Sequence, residues 1–158
     1  MRRVVATLAF LAGLVVTASV TPARAADYPH PGTNVIATSH GFQTLRNRLE
    51  QAIKDNKMGL VSRASASVGA SRRGVSIHGN AVFGVYRNDF AVRMLAASVP
   101  AGIEAPLRFY ITENADGTAT LVYRIPSAVF APYGSADLDA MARELDVIFK
   151  SIADAAAN

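Results

Sequence analysis

P-L-R-F-Y-I-T-E-N-A-D-G-T-A-T-L-V-Y-R-I, residues 106–125, is two strand-like runs around one turn signal. N-A-D-G at Asn114–Gly117 ends in a glycine, which tolerates the positive φ that tight hairpin turns demand, so the flanking runs read as an antiparallel pair. A loop with an even residue count would place Arg108, Tyr110 and Thr112 on one face with Leu121, Tyr123 and Ile125. Leu107, Phe109 and Ile111 would then share the other face with Val122 and Arg124. Both faces are mostly apolar, so both require cover from helices or another chain.

Upstream, A-V-F-G-V-Y at Ala81–Tyr86 alternates Val82 and Tyr86 against Phe83 and Val85, the pattern of an interior strand. A short strand over Asn34–Thr38 precedes a helix with Leu45, Leu49, Ala52 and Ile53 on one face, Thr44 as its cap and Gly59 beyond its end. Leu60–Ser65 reads as a strand and Ser67–Arg73 as a short helix stopped by Gly74. Asn88 or Asp89 can cap a helix running to about Ser98. A final helix from near Ser135 repeats Leu138, Met141, Leu145, Ile148 and Ile152 at steps of three and four. The expected fold is a single compact α+β domain, a mostly antiparallel or mixed sheet packed by helices.

Residues 1–25 stand apart. Arg2 and Arg3 precede an apolar run from Val4 to Val16, and Ala23-Arg24-Ala25 offers small residues where a signal peptidase reads them. The expectation is a cleaved signal peptide over 1–25, a lead-in and first strand over 26–41, and the α+β domain over 42–156. The product would be periplasmic or secreted, with no stable membrane span after processing. Losing Arg2, Arg3 and Arg24 leaves 13 basic against 12 acidic residues, a net charge of +1, which removes the main support for nucleic-acid binding. There is no cysteine, so disulfides contribute nothing and the core alone must hold the fold.

Short-range catalytic signatures are missing. Ser76 in G-V-S-I-H-G lacks the second glycine of a nucleophile elbow, and His30, His40 and His78 stand at no metal-ligand spacing. No cofactor or metal is expected. After cleavage ten arginines face three lysines, and a guanidinium fork suits planar anions as an ammonium does not. Arg73, Arg87, Arg108 and Arg124 lie on strands or at element ends; Arg87, beside a helix start, is placed to hold a small carboxylate or phosphate. The bland alternative pairs these arginines with Asp89, Glu104 and Glu113 or lays them over apolar surface. His78 and Asn80 sit in a loop ahead of the Ala81–Tyr86 strand, where the ordinary role is hydrogen bonding to backbone.

Four segments together resemble a known bacterial family, domain of unknown function 302 (DUF302). They are F-Q-T-L-R-N-R-L-E-Q-A-I at 42–53 with a glycine soon after, V-Y-R-N-D at 85–89, P-L-R-F-Y at 106–110 followed by an acidic residue and the D-G turn, and Y-R-I-P at 123–126. The resemblance runs from about Phe42 through Ala153. Where many members carry F-G-N-P this chain has Tyr86, Arg87, Asn88 and Asp89, so only Asn88 carries over. The resemblance implies a compact α+β domain and a homodimer, and no established activity.

The functional expectation is a periplasmic small-ligand-binding or accessory module for an anionic or amphipathic compound, using Arg87 and Arg108 for charge. Tyr86, Tyr110 and Tyr123 would give apolar contact, with His78 and Asn80 as polar neighbours. The alternatives are a structural or protein-interaction homodimer domain and a non-covalent acid/base enzyme. Protein purified from its native host should have an intact mass beginning at Ala26; a membrane-bound chain still starting at Met1 would overturn the leader reading.

Overall fold

The computed structural model describes residues 28–158; the expected leader lies outside the described residues. Five strands form one antiparallel sheet in the order β1-β5-β4-β3-β2. The strands are β1 (Thr33–Gly41), β2 (Gly59–Ala64), β3 (Asn80–Tyr86), β4 (Leu107–Glu113) and β5 (Thr118–Arg124). The helices are α1 (Phe42–Asp55), α2 (Ala66–Ser71), α3 (Asn88–Ala97), α4 (Pro126–Phe130) and α5 (Ala136–Ala157). This is the expected α+β class, with the sheet antiparallel throughout. No helix among the described residues is long and apolar enough to cross a membrane.

The hairpin register differs by one residue from the even-loop expectation. Phe109 pairs with Tyr123 and Ile111 with Leu121. The reason is the turn: Asn114 N–H donates to the Thr118 carbonyl at 2.7 Å, closing a three-residue loop with Gly117 at φ +83°. An odd loop swaps one strand's faces relative to the other. Phe109, Ile111, Leu121 and Tyr123 therefore point together into the core, while Tyr110 and Val122 share the outer face.

Core-facing residues of β3 (Ala81, Phe83, Val85), β4 and β5 meet Leu45, Leu49 and Ile53 of α1 and Leu138, Met141, Leu145, Phe149 and Ile152 of α5. Phe149 stacks on Phe109 with centroids 4.7 Å apart, and Tyr123 tilts against both rings. The α5 stripe matches its helical spacing, and Ser135 caps its start by accepting from Leu138 N–H at 3.4 Å. Arg48 of α1 donates to the Ala155 and Ala156 carbonyls, each at 2.9 Å, placing a cation on orphan acceptors at the other end. On the surface Lys150 binds Asp154, and Asp146 accepts from Ser127 N–H at the start of α4.

Two expected helix limits move. α1 starts at Phe42 with Gly41 in the cap position, so Thr44 lies within it. Its end is at Asn56, where Lys57 N–H bonds the Lys54 carbonyl and Met58 N–H reaches Ile53, with Lys57 left-handed at φ 57°. That motif ordinarily takes glycine, but here Gly59 already belongs to β2. Gly84, mid-strand, lies under Ser62 Oγ and the Pro106 ring, so a side chain there would collide; the bulge lies beside it in β2, between Leu60 and Ser62.

Two substitutions should shift stability in opposite directions. Phe149→Ala should cost about 3–5 kcal/mol in denaturant unfolding, whereas Lys57→Gly should gain up to about 1 kcal/mol by relieving left-handed strain.

Candidate functional site

The junction of β3 and α3 carries the densest polar cluster. Arg87 holds the cap position in extended backbone, φ −144° and ψ 127°, and no side chain caps the helix. The expectation that Asn88 or Asp89 caps is corrected: α3 begins at Asn88, so both already lie in its first turn. Asn88 Nδ2 instead donates to the Tyr86 hydroxyl at 3.3 Å. Asp89 accepts from Arg87 Nε at 2.8 Å and Nη2 at 3.1 Å, a two-point pair. That bond, with a further one from Phe90 N–H, holds the Asp89 carboxyl below its ordinary 3.8.

The Arg87 guanidinium also lies over the Phe90 ring, 4.3 Å from its centroid. Arg93 approaches the same ring at 5.4 Å and grips Glu144 of α5 through bonds of 2.8 and 2.6 Å, which hold the Glu144 carboxyl low. Beneath Phe90 is a small cavity of about 30 Å³. Met58, Met94, Met141, Phe130, Leu107 and Leu145 contribute to its wall; Tyr86 and Arg87 are its polar members. Buried Met94 and the Arg87–helix junction thus meet at one place. Three of the wall side chains are thioethers, unbranched and adaptable in the gaps they fill.

The other expected site residues are dispersed. Arg108, exposed, and Tyr110, half-buried, lie with Tyr86 on the outer face of the sheet, opposite the helices. Tyr123 is corrected: at 5 % exposure it packs in the core against Phe109 and Phe149, because the odd loop turned it inward. His78 is exposed in the loop before β3, as is Ser76. Asn80 does structural work, accepting from Ala66 N–H at 2.9 Å and donating to the His78 carbonyl at 3.0 Å. Glu113 takes Gly79 N–H at 2.7 Å, and Glu104 takes the Tyr133 hydroxyl at 3.0 Å, so neither pairs with an arginine. No group of three or more metal-ligating side chains forms among the described residues.

Two features escaped the sequence. Tyr28 lies near Tyr110 on the outer face, its hydroxyl pKa raised by burial and then by that neighbour. Nε of Arg124 is sealed from solvent without a hydrogen-bond partner among the described residues, as is Nε2 of His40. A signal for Arg124 existed in the sequence, since a three-residue hairpin loop would have placed it opposite Arg108.

The model of the family described as "Domain of unknown function DUF302" matches residues 35–156. The chain belongs to the DUF302 family. The crystal structure of an uncharacterized conserved DUF302 protein from Bacillus stearothermophilus is similar in fold, with a TM-score of 0.71 at 16 % identity over 81 % of this chain and 99 % of that one. A comparison with curated proteins gave no match. DUF302 membership and the shared fold agree with the strand order and helix layer described above, and assign no chemistry to Arg87 or its cavity.

Asp89, Asp116 and Glu144 are all held below their ordinary pKa, each first by a side-chain hydrogen bond: from Arg87, Thr118 and Arg93 respectively. A depressed folded pKa contributes stability above the unfolded value, and this is lost as pH falls through the folded value. The denaturant midpoint should therefore drop between about pH 5 and pH 2, and Asp89→Asn with Glu144→Gln should flatten that drop.

Proposed function

We propose that this DUF302 protein is an exported, periplasmic binding module for a small amphipathic anion, cut after Ala25. The observation that carries the reading is the apolar cavity walled by Met58, Met94, Met141, Phe130 and Leu145 with one guanidinium, Arg87, at its lining. An apolar recess with a single well-placed cation matches the chemistry of a short-chain carboxylate. The tail would enter as the methionines repack, and the carboxylate would replace Asp89 on the Arg87 fork. Asp89 acts as a placeholder that keeps the guanidinium in position while the site is empty. The α3 N-terminus adds backbone amides beside the charge, now engaged by the Asp89 carboxylate.

A second reading, an interaction or homodimer domain, draws on the outer face of the sheet. Among the described residues the core helices pack on the opposite face, yet Val122 is buried, Tyr110 half-buried and Val35 41 % exposed on this one. A ligand cavity under α3 and a seam on the opposite face are compatible in one molecule.

Octanoate and hexanoate are suitable probes for the first reading. Wild-type protein should gain several degrees in melting temperature at saturating probe, and Arg87→Ala, a surface change, should lose at least tenfold in affinity while keeping the fold. Asp89→Asn should bind more tightly. An unmoved wild-type melting temperature, together with empty protein in native mass spectrometry of periplasmic material, would overturn the binding reading. A dimer in sedimentation equilibrium that Tyr110→Glu dissociates would then establish the second.

A further inference from the structure

Arg108 and Arg124 occupy adjacent strands, one step beyond the Phe109–Tyr123 pair, so the register sets them directly opposite on one face of the β4–β5 ladder. Directly opposed like charges destabilise a sheet, and opposed positions lie only about 4.5–5.5 Å apart between Cβ atoms. Neither arginine forms an ion pair among the described residues, whose other arginine pairs involve Arg46, Arg63, Arg87 and Arg93. Both line a small recess of about 40 Å³ at the strand ends, closed by Leu107, by Glu104 of the preceding turn and by Val129 of α4. Nε of Arg124 is sealed in the protein with no hydrogen-bond partner among the described residues. A buried guanidinium nitrogen left unsatisfied is costly, and such groups in folded proteins are ordinarily hydrogen-bonded.

We propose that this recess is a phosphate-class oxyanion site, with one anion bridging the Arg108 and Arg124 guanidinium groups. A carboxylate fills a single guanidinium fork. Two guanidinium groups lining one recess from neighbouring strands call for an anion with at least three oxygens and a charge near −2, which relieves the repulsion between them and, as the Arg124 side chain turns toward it, gives the sealed Nε an acceptor. Glu104 also lines the recess, its carboxylate accepting the Tyr133 hydroxyl at 3.0 Å, and one carboxylate against two guanidinium groups leaves the recess with an excess of positive charge. The site is separate from the Arg87 cavity; the two share only Leu107 in their walls. Its occupant is either free inorganic phosphate or the terminal phosphate of a monoester, since both present the same oxygens.

The test is calorimetric titration of the full protein with inorganic phosphate and, separately, with a simple alkyl phosphate, against sodium chloride at equal ionic strength. Wild type should bind phosphate where chloride gives no heat beyond dilution. Arg108→Ala, an exposed position that leaves the core untouched, should weaken binding at least tenfold. Arg124→Lys, which keeps the charge and removes the Nε donor, should do the same, and Glu104→Gln should tighten it. Arg143→Ala, at an exposed arginine that lines neither site, should leave phosphate binding unchanged, which separates the recess from general surface charge. Tighter binding of the alkyl phosphate would assign the site to a phosphomonoester, and tighter binding of inorganic phosphate to the free ion. Equal response to phosphate and chloride, or full phosphate binding by folded Arg108→Ala, would overturn the proposal.

Discussion

The three-residue turn between β4 and β5 is the constraint on which the rest of the structure hangs. Asp116 accepts from both the backbone and the hydroxyl of Thr118, at 3.0 and 2.6 Å, and Asn114 Nδ2 donates to the same hydroxyl at 2.9 Å. This small network, with Gly117 left-handed, locks the register in which Phe109 faces Tyr123. A slip of one residue would turn Tyr123 and Leu121 out to solvent and draw Val122 and Arg124 beneath α5. The ring stack of Phe109 on Phe149 helps hold the longest helix to the sheet, so the turn positions α5 indirectly.

With α5 in place, the α3 junction follows. Glu144 on α5 holds Arg93, Arg93 flanks Phe90, and Arg87 covers the other approach to that ring. The polar cluster at Tyr86–Asp89 is therefore a lid of paired charges over an apolar cavity whose back wall, Met141 and Leu145, comes from α5. Local capping does not explain its residues, because the cap position belongs to Arg87 and no side chain fills it. Their arrangement follows from the Arg87–Asp89 pair laid over the Phe90 ring, beside the Arg93–Glu144 bonds that tie α3 to α5.

The sheet treats its two faces unequally. One is covered by α1, α3, α4 and α5; the other bears Val35, Tyr110, Val122 and the Arg108–Arg124 pair. An antiparallel sheet can face water on one side, but then alternation usually places polar residues there. Here that face mixes valines and tyrosines with two opposed cations.

The amino-acid sequence by itself determined which segments become strands and helices, because burial periodicity is local: the α5 stripe, the alternation in β3 and the glycine of the hairpin turn each read correctly within a few residues. It also determined the family, through motifs spread from Phe42 to Pro126. The tertiary structure alone decided which face each hairpin residue takes, since a one-residue change in loop count reverses every side chain and N-A-D-G is compatible with either parity. It alone brought Met58, Met94 and Met141 from three separate elements into one cavity with Arg87, sent Tyr123 into the core, and set Arg124 against Arg108. Those contacts join residues far apart in the chain, and their energies come from packing and desolvation that no local pattern carries.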